Sequence, residues 1–163
     1  MTNQRTLKHY FDYREDGILV WKTAPYKSRI NIGDEAGCVT LLSGGARRRA
    51  KLQGKMYMSS RLVFLWHNGY LPEVVDHIDG DTLNDRIENL RAATRSQNSM
   101  NAKKHSRGKC PYKGVYPHQG KFLVTIHAEG EHRYIGYYKD VEAANIAAIA
   151  ARNEIHGAFA RHF

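Results

Sequence analysis

The stretch Val74–Asn98 reads VVDHIDGDTLNDRIENLRAATRSQN, and its pattern leaves little choice of local structure. LPEVVDH reads as a strand, IDGDTLNDRIE as a loop built from turn residues, and NLRAAT as a second strand. Thr94 and Gln97 then form a T-x-x-Q capping box, which predicts a helix beginning at Arg95. The predicted order is strand, loop, strand, helix.

Hydrolysing a phosphodiester needs an activated water and a group that absorbs charge on the phosphate and the leaving oxygen. A neutral histidine serves the first need and a divalent ion the second. Asp76 and His77 are adjacent at a strand end, where a twist or bulge can turn both into one cleft. Asn98 falls in the first turn of the helix that follows. A strand–strand–helix fold can therefore bring Asp76 and Asn98 onto one ion, and their oxygens suit Mg²⁺. On the residues alone a second account stands beside this one, because Asp-Gly-Asp and Asn-Asp are ordinary turn chemistry. Two metal sites are disfavoured. A calcium loop starting at Asp79 would put Leu83 at its fifth place and Asn84 where glycine is needed. A structural zinc site would need a Cys or a second His nearby.

Lys and Arg total 25 against 16 Asp and Glu, a net charge of +9, which favours a polyanionic partner such as nucleic acid. Two cysteines, Cys38 and Cys110, are too few for a disulfide framework, and a reduced intracellular setting fits. No stretch approaches the roughly 18 apolar residues of a membrane span, so the expectation is a cytoplasmic chain with no membrane partner. No obligatory protein partner is inferred.

Upstream, GILVW and CVTLL read as strands, and RLVFLWHNGYLP as a short packed helix ending near Gly69. Between them, Gly44 and Gly45 mark a hairpin or loop, and Arg47, Arg48, Arg49, Lys51 and Lys55 cluster there. That basic cluster is read either as a solvated loop or as a phosphate-contacting arm. Downstream, Met100–Pro111 is polar and basic and reads as a linker. KFLVTIH and HRYIGYY then read as strands joined by AEGE. DVEAANIAAIAARNEIHG reads as a long helix with Asp140 as N-cap and Gly157 as stop. Alternation in KFLVTIH turns Phe122, Val124 and Ile126 toward that helix, with Ile135 beside them, and turns Lys121, Leu123, Thr125, His127, His132 and Tyr134 outward.

The residues Asp76-His77-Ile78-Asp79-Gly80-Asp81, then Asn84, Asn89-Leu90-Arg91, Thr94 and Asn98 closely resemble the HNH endonucleases of bacteriophages and introns. The family pattern is D-H-x-D-G-[ND], then N-x-x-x-x-N-L-R, a threonine and an asparagine on the helix. The resemblance implies a ββα-metal nuclease. His77 would be the general base on the attacking water. Asp76 and Asn98 would hold one divalent ion, Mg²⁺ or another such as Mn²⁺, against the scissile phosphate and the leaving 3′ oxygen. Asn89 would order the loop, Asn84, Asp79 and Gly80 would form turns, and Arg91 would either contact phosphate or be solvated.

The segment from Tyr112 to Phe163 resembles the Apetala-two/ethylene-response-factor DNA-binding domain. The matching residues are Tyr112-Lys113-Gly114-Val115, Gly120-Lys121-Phe122, Ile135-Gly136-Tyr137-Tyr138, Glu142–Ala144 and the closing HGAFARHF. That resemblance implies three strands in the major groove and one backing helix. The DNA-facing places would carry Lys113, Tyr116, His118, Gln119 and Lys121, with Thr125, His127, His132 and Tyr134 beyond them. The family often has Arg and Trp at several of these places, so the base preference of its plant members does not transfer.

The expected fold is α+β: a ββα-metal HNH core with N-terminal strands, then a three-stranded antiparallel sheet backed by one helix. The expected domains are 1–102 for the nuclease, 103–111 for a basic linker and 112–163 for the DNA-binding domain. The expected function is a site-preferring, metal-dependent endonuclease on double-stranded DNA, resembling phage homing endonucleases, with nicking preferred. The alternative is a DNA-binding regulator with a catalytically silent HNH core.

Overall fold

A computed structural model describes residues 2–103 and 110–162. Most of the linker expected at 103–111 lies outside the described residues. The chain divides into two compact units, Met1–Ala93 and Thr94–Phe163. Both mix helix with small antiparallel sheets, so the fold class is α+β.

In the first unit, helix α1 (Gln4–Tyr10) leads into the hairpin β1 (Phe11–Tyr13) and β2 (Leu19–Trp21). A three-stranded antiparallel sheet follows, with β4 (Gly45–Leu52) between β3 (Cys38–Leu42) and β5 (Lys55–Met58). Helix α2 (Ser59–Asn68) buries Leu62, Val63, Phe64 and Leu65 and stops at Gly69, which is left-handed at φ 78°. Its core partners include Leu7, Phe11, Leu19, Trp21, Leu52 and Leu90. The unit closes with the antiparallel pair β6 (Val74–His77) and β7 (Leu90–Ala93), in register Asp76 with Arg91 and His77 with Leu90.

Reading the Arg47–Arg49 cluster as a solvated loop is corrected here: these residues lie within β4, the central strand of its sheet. Gly44 and Gly45 confine the turn to the hairpin tip. Arg48 shares the face of Ala50 and Leu52, which are 1% and 2% exposed. The arginines are half-buried, and Arg48 pairs with Glu35 at 3.2 Å.

Gly17 fixes how the β1–β2 hairpin meets the loop between β6 and β7. It sits at φ +91°, and a Cβ there would lie 2.4 Å from the Arg86 nitrogen and 2.5 Å from the Asp85 carbonyl carbon. Gly17→Ala is therefore expected to destabilise the unit by roughly 1–3 kcal/mol from the backbone conformation alone, with the collision adding to it. A urea unfolding midpoint equal to that of the unaltered chain would contradict this.

The second unit opens with α3 (Arg95–Met100). The Thr94 side chain accepts from the Gln97 N–H and the Gln97 side chain accepts from the Thr94 N–H, the reciprocal cap expected from the sequence. A three-stranded antiparallel sheet follows, with β9 (Lys121–Ala128) between β8 (Val115–His118) and β10 (Glu131–Tyr138). Helix α4 (Val141–His156) lies across it, burying Ala144, Ala148 and Ala151. Alanine at these places lets the helix approach the sheet, where Val115, Val124 and Cys110 complete the core.

Candidate functional site

The loop from Ile78 to Arg86 is held by its own polar side chains. Asp79 accepts from the Asp81 N–H at 2.7 Å, and Asp81 accepts from the Leu83 N–H at 3.0 Å. Gly80 sits at φ +67° and its N–H reaches the His77 carbonyl at 2.9 Å. Asn84 donates to Asp79 at 2.7 Å. Asn89, 8% exposed, spans the loop: its Oδ1 accepts from the Asp79 N–H, and its Nδ2 donates to Asp79 and to the Asn84 carbonyl. Burial resists ionisation of Asp79, yet the hydrogen bonds from Asn84, Asp81 and Asn89 outweigh it and hold the carboxyl below its ordinary range. Outside the loop, Thr82 donates to the Ala46 carbonyl of β4 at 2.7 Å, and the Tyr13 hydroxyl accepts from the Ile87 N–H at 3.1 Å.

This framework delivers Asp85 to His77. The His77 Nε2 and Asp85 Oδ1 lie 2.9 Å apart, with His77 8% and Asp85 3% exposed. Burial pushes the Asp85 carboxyl above its ordinary range. The hydrogen bond to His77 and the charges of His77, Arg48 and Arg47 pull the other way without cancelling that effect. Sequence reasoning missed Asp85. It stands in an Asn-Asp pair that reads as turn chemistry, and only the loop's path turns it inward.

Asp76 is 4% exposed and faces its cross-strand partner. Arg91 donates to Asp76 Oδ2 through Nε and lies within ion-pair reach through Nη2, both at 2.8 Å. Both expectations for Arg91, phosphate contact or solvation, left this pairing out. A carboxylate has about four acceptor positions on its two oxygens, so Arg91 does not by itself bar an ion from Asp76. Among the described residues no group of three or more His, Cys, Asp or Glu could hold a metal. Asp76 offers carboxylate oxygens in the first unit and Asn98 an amide oxygen in the second. Oxygen ligands of this kind suit a hard ion such as Mg²⁺ and suit zinc poorly.

Asn98 belongs to the second unit, exposed in α3, with its N–H bonded to the Thr94 carbonyl at 3.0 Å. The first unit thus sets two side-chain pairs on successive residues of β6, Asp76 with Arg91 and His77 with Asp85, and the second carries Asn98.

The sheet of the second unit has an outer face of rings and polar groups. Its cross-strand rows are His118 with Lys121, Tyr116 with Leu123 and Tyr137, Thr125 with Tyr134, and His127 with His132. Tyr116 and Tyr134 are 51% and 62% exposed, and the His127 and His132 rings lie 4.9 Å apart. Gln119 sits at the β8–β9 turn at φ +46°. Tyr137, 48% exposed, was absent from the sequence expectation. Strict alternation from Tyr134 turns it inward, but the register shifts between Tyr134 and Gly136 and reverses the phase. Lys113 is placed differently from the rest. It is half-buried and donates to the Met100 and Ala102 carbonyls at 2.9 and 2.7 Å. Burial, then the charges of Arg152 and Arg161, lower its pKa to about 8.

The HNH endonuclease family model matches residues 57–100, from the end of β5 through the last residue of α3. Protein 3.8 of Escherichia phage T7 is 33% identical over 108 residues, covering 62% of this chain and 88% of that protein. No solved structure matches the chain. No helix among the described residues is long and apolar enough to cross a membrane.

Proposed function

The chain belongs to the family of phage T7 protein 3.8 and carries an HNH endonuclease domain, and from that premise we propose that it is a divalent-metal-dependent endonuclease that hydrolyses double-stranded DNA at preferred sites. The observation that carries this reading is the buried strand end of β6, where Asp76 and His77 each hold a specific side-chain partner. In this reading β6, β7 and α3 form a ββα core, with residues 1–102 as the nuclease domain and 103–111 as a linker. Residues 112–163 act as an Apetala-two/ethylene-response-factor-like DNA reader. The three-stranded sheet with its single backing helix supports that last assignment. The setting is the cytoplasm of an infected bacterium, and the biological role a homing-type endonuclease that nicks one strand.

His77 takes the proton of the attacking water. Asp76 and Asn98 would hold the ion, which when bound would supply charge stabilisation to the phosphate and the leaving oxygen. Arg91 holds the Asp76 carboxylate in place from the neighbouring strand. Arg47 and Arg48 supply positive charge near Asp85, where a phosphate backbone would gain from it. On the second unit, Tyr116, His118, Thr125, His127, His132 and Tyr134 meet base edges, with Gln119 and Lys121 at the strand turn.

The test is incubation of supercoiled plasmid with the protein in Mg²⁺ or in chelator. Relaxation of the plasmid in Mg²⁺ alone is expected, and intact supercoiled DNA in both would sink the reading. The Asp76–Arg91 ion pair favours a second reading, a DNA-binding regulator whose core is silent because arginine takes the place of the ion. Binding without cleavage would establish it. Lys121→Ala should weaken DNA binding evenly across sequences and reduce the slope of log affinity against log salt by about 1. An unchanged slope in a salt titration would remove Lys121 from the DNA contact.

A further inference from the structure

Asp85 is a buried carboxyl in the first unit that the hydrolytic scheme above does not use. Its Oδ1 meets His77 Nε2 at 2.9 Å, while its Oδ2 is buried with no hydrogen-bond partner. A carboxyl so placed is costly to the fold, since an unsatisfied buried acceptor forfeits its hydration. Its position is nonetheless firmly built. Asn89 donates to the carbonyl of Asn84 just before it, Tyr13 accepts from Ile87 just after it, and Gly17 lets the hairpin backbone approach it directly. A costly group held this firmly against one ring nitrogen has a task at that nitrogen.

We propose that Asp85 is the positioning residue of His77, accepting the Nε2–H of the neutral imidazole so that Nδ1 carries the lone pair that deprotonates the attacking water. The proposal rests on the nuclease reading and adds the group that makes His77 a base of defined tautomer. A neutral imidazole carries one N–H, so an acceptor at Nε2 assigns the basic site to Nδ1. As the water oxygen bonds to phosphorus, its proton passes to Nδ1. The P–O3′ bond breaks with its electron pair going to the 3′ oxygen, which takes a proton from solvent water to leave as the 3′-hydroxyl. The imidazolium formed in that step lies beside the Asp85 carboxylate, which stabilises it without taking the proton. The charges of Arg47 and Arg48 favour the ionised, accepting form of Asp85 against the effect of its burial.

Two variants test this, Asp85→Leu, which has no acceptor, and Asp85→Asn, whose amide oxygen can still accept from Nε2–H. The first readout is the tautomer of His77 in ¹⁵N-histidine-labelled full-length protein, by long-range proton–nitrogen correlation with the ring neutral. The unaltered chain is expected to hold Nε2–H alone, and Asp85→Leu a mixture of both tautomers. An Nδ1–H ring in the unaltered chain, or a tautomer unmoved by Asp85→Leu, overturns the proposal. The second readout is single-turnover plasmid nicking. Asp85→Leu should lower the rate roughly 10- to 100-fold at unchanged DNA affinity, and Asp85→Asn should lose less. Rates equal to the unaltered chain in both variants overturn the role of Asp85 and leave the nuclease reading intact. An unaltered chain that nicks nothing overturns the nuclease reading, and with it the role of Asp85.

Discussion

His77→Gln is expected to lower single-turnover nicking of supercoiled DNA by roughly 100- to 10,000-fold, the usual worth of a positioned general base, with DNA affinity kept. Glutamine is the informative replacement because its amide N–H can still donate to Asp85 Oδ1, which lies 2.9 Å from the imidazole Nε2. His77→Ala would leave a buried carboxyl without its partner and mix a folding defect with a catalytic one. If His77→Gln cuts at the rate of the unaltered chain, the base lies elsewhere. If it loses DNA binding as well, His77 supports the fold rather than the chemistry.

Asp76→Asn is expected to have the next largest effect. A bound divalent ion stabilises developing charge by several kcal/mol, so losing the carboxylate that holds it should cost roughly 100-fold or more in rate. The Mg²⁺ concentration for half-maximal activity should rise in parallel. The amide oxygen can still accept from Arg91, which limits the stability cost to about 1–3 kcal/mol for a weakened charge-assisted hydrogen bond. A calorimetric titration with Mn²⁺ checks the assignment directly. Binding by Asp76→Asn as tight as by the unaltered chain would remove Asp76 from the metal site.

Local signals in the sequence carried far where one short motif decides the structure. The Thr94–Gln97 box sets the start of α3 at Arg95, and Gly69 ends α2 in the left-handed conformation expected of a helix stop. Asp140 caps the start of α4 and Gly157 ends it, with ψ −125° rather than in the left-handed helical conformation. These elements are readable because caps depend on residues three or four apart. What was not legible depends on longer range. Arg47–Arg49 look like a solvated loop until β3 and β5 are paired on either side of them. Tyr137 is turned outward by an irregularity in β10 that alternation cannot foresee. Lys113 looks like a basic residue for DNA, but the carbonyls of Met100 at the end of α3 and of Ala102 just beyond it take its ammonium.

The same distinction runs through the candidate site. The Asp76–His77 dipeptide could be singled out from the sequence because the motif around it has many fixed spacings. Asp85 and Arg91 could not be assigned to those two, because a turn aspartate and a strand arginine are commonplace until the cross-strand register and the loop path are known. Electrostatics therefore entered late, as Asp76 with Arg91 and His77 with Asp85.

The most direct measurement of the central claim is cleavage of a defined duplex in ¹⁸O-labelled water with Mg²⁺, followed by mass analysis of the ends. Attack by water with departure of the 3′ oxygen predicts 5′-phosphate ends carrying one ¹⁸O per cut and unlabelled 3′-hydroxyl ends, with no cleavage in chelator. Unlabelled 5′-phosphates, label at the 3′ end, or cleavage that persists in chelator would contradict a metal-dependent hydrolysis begun at His77.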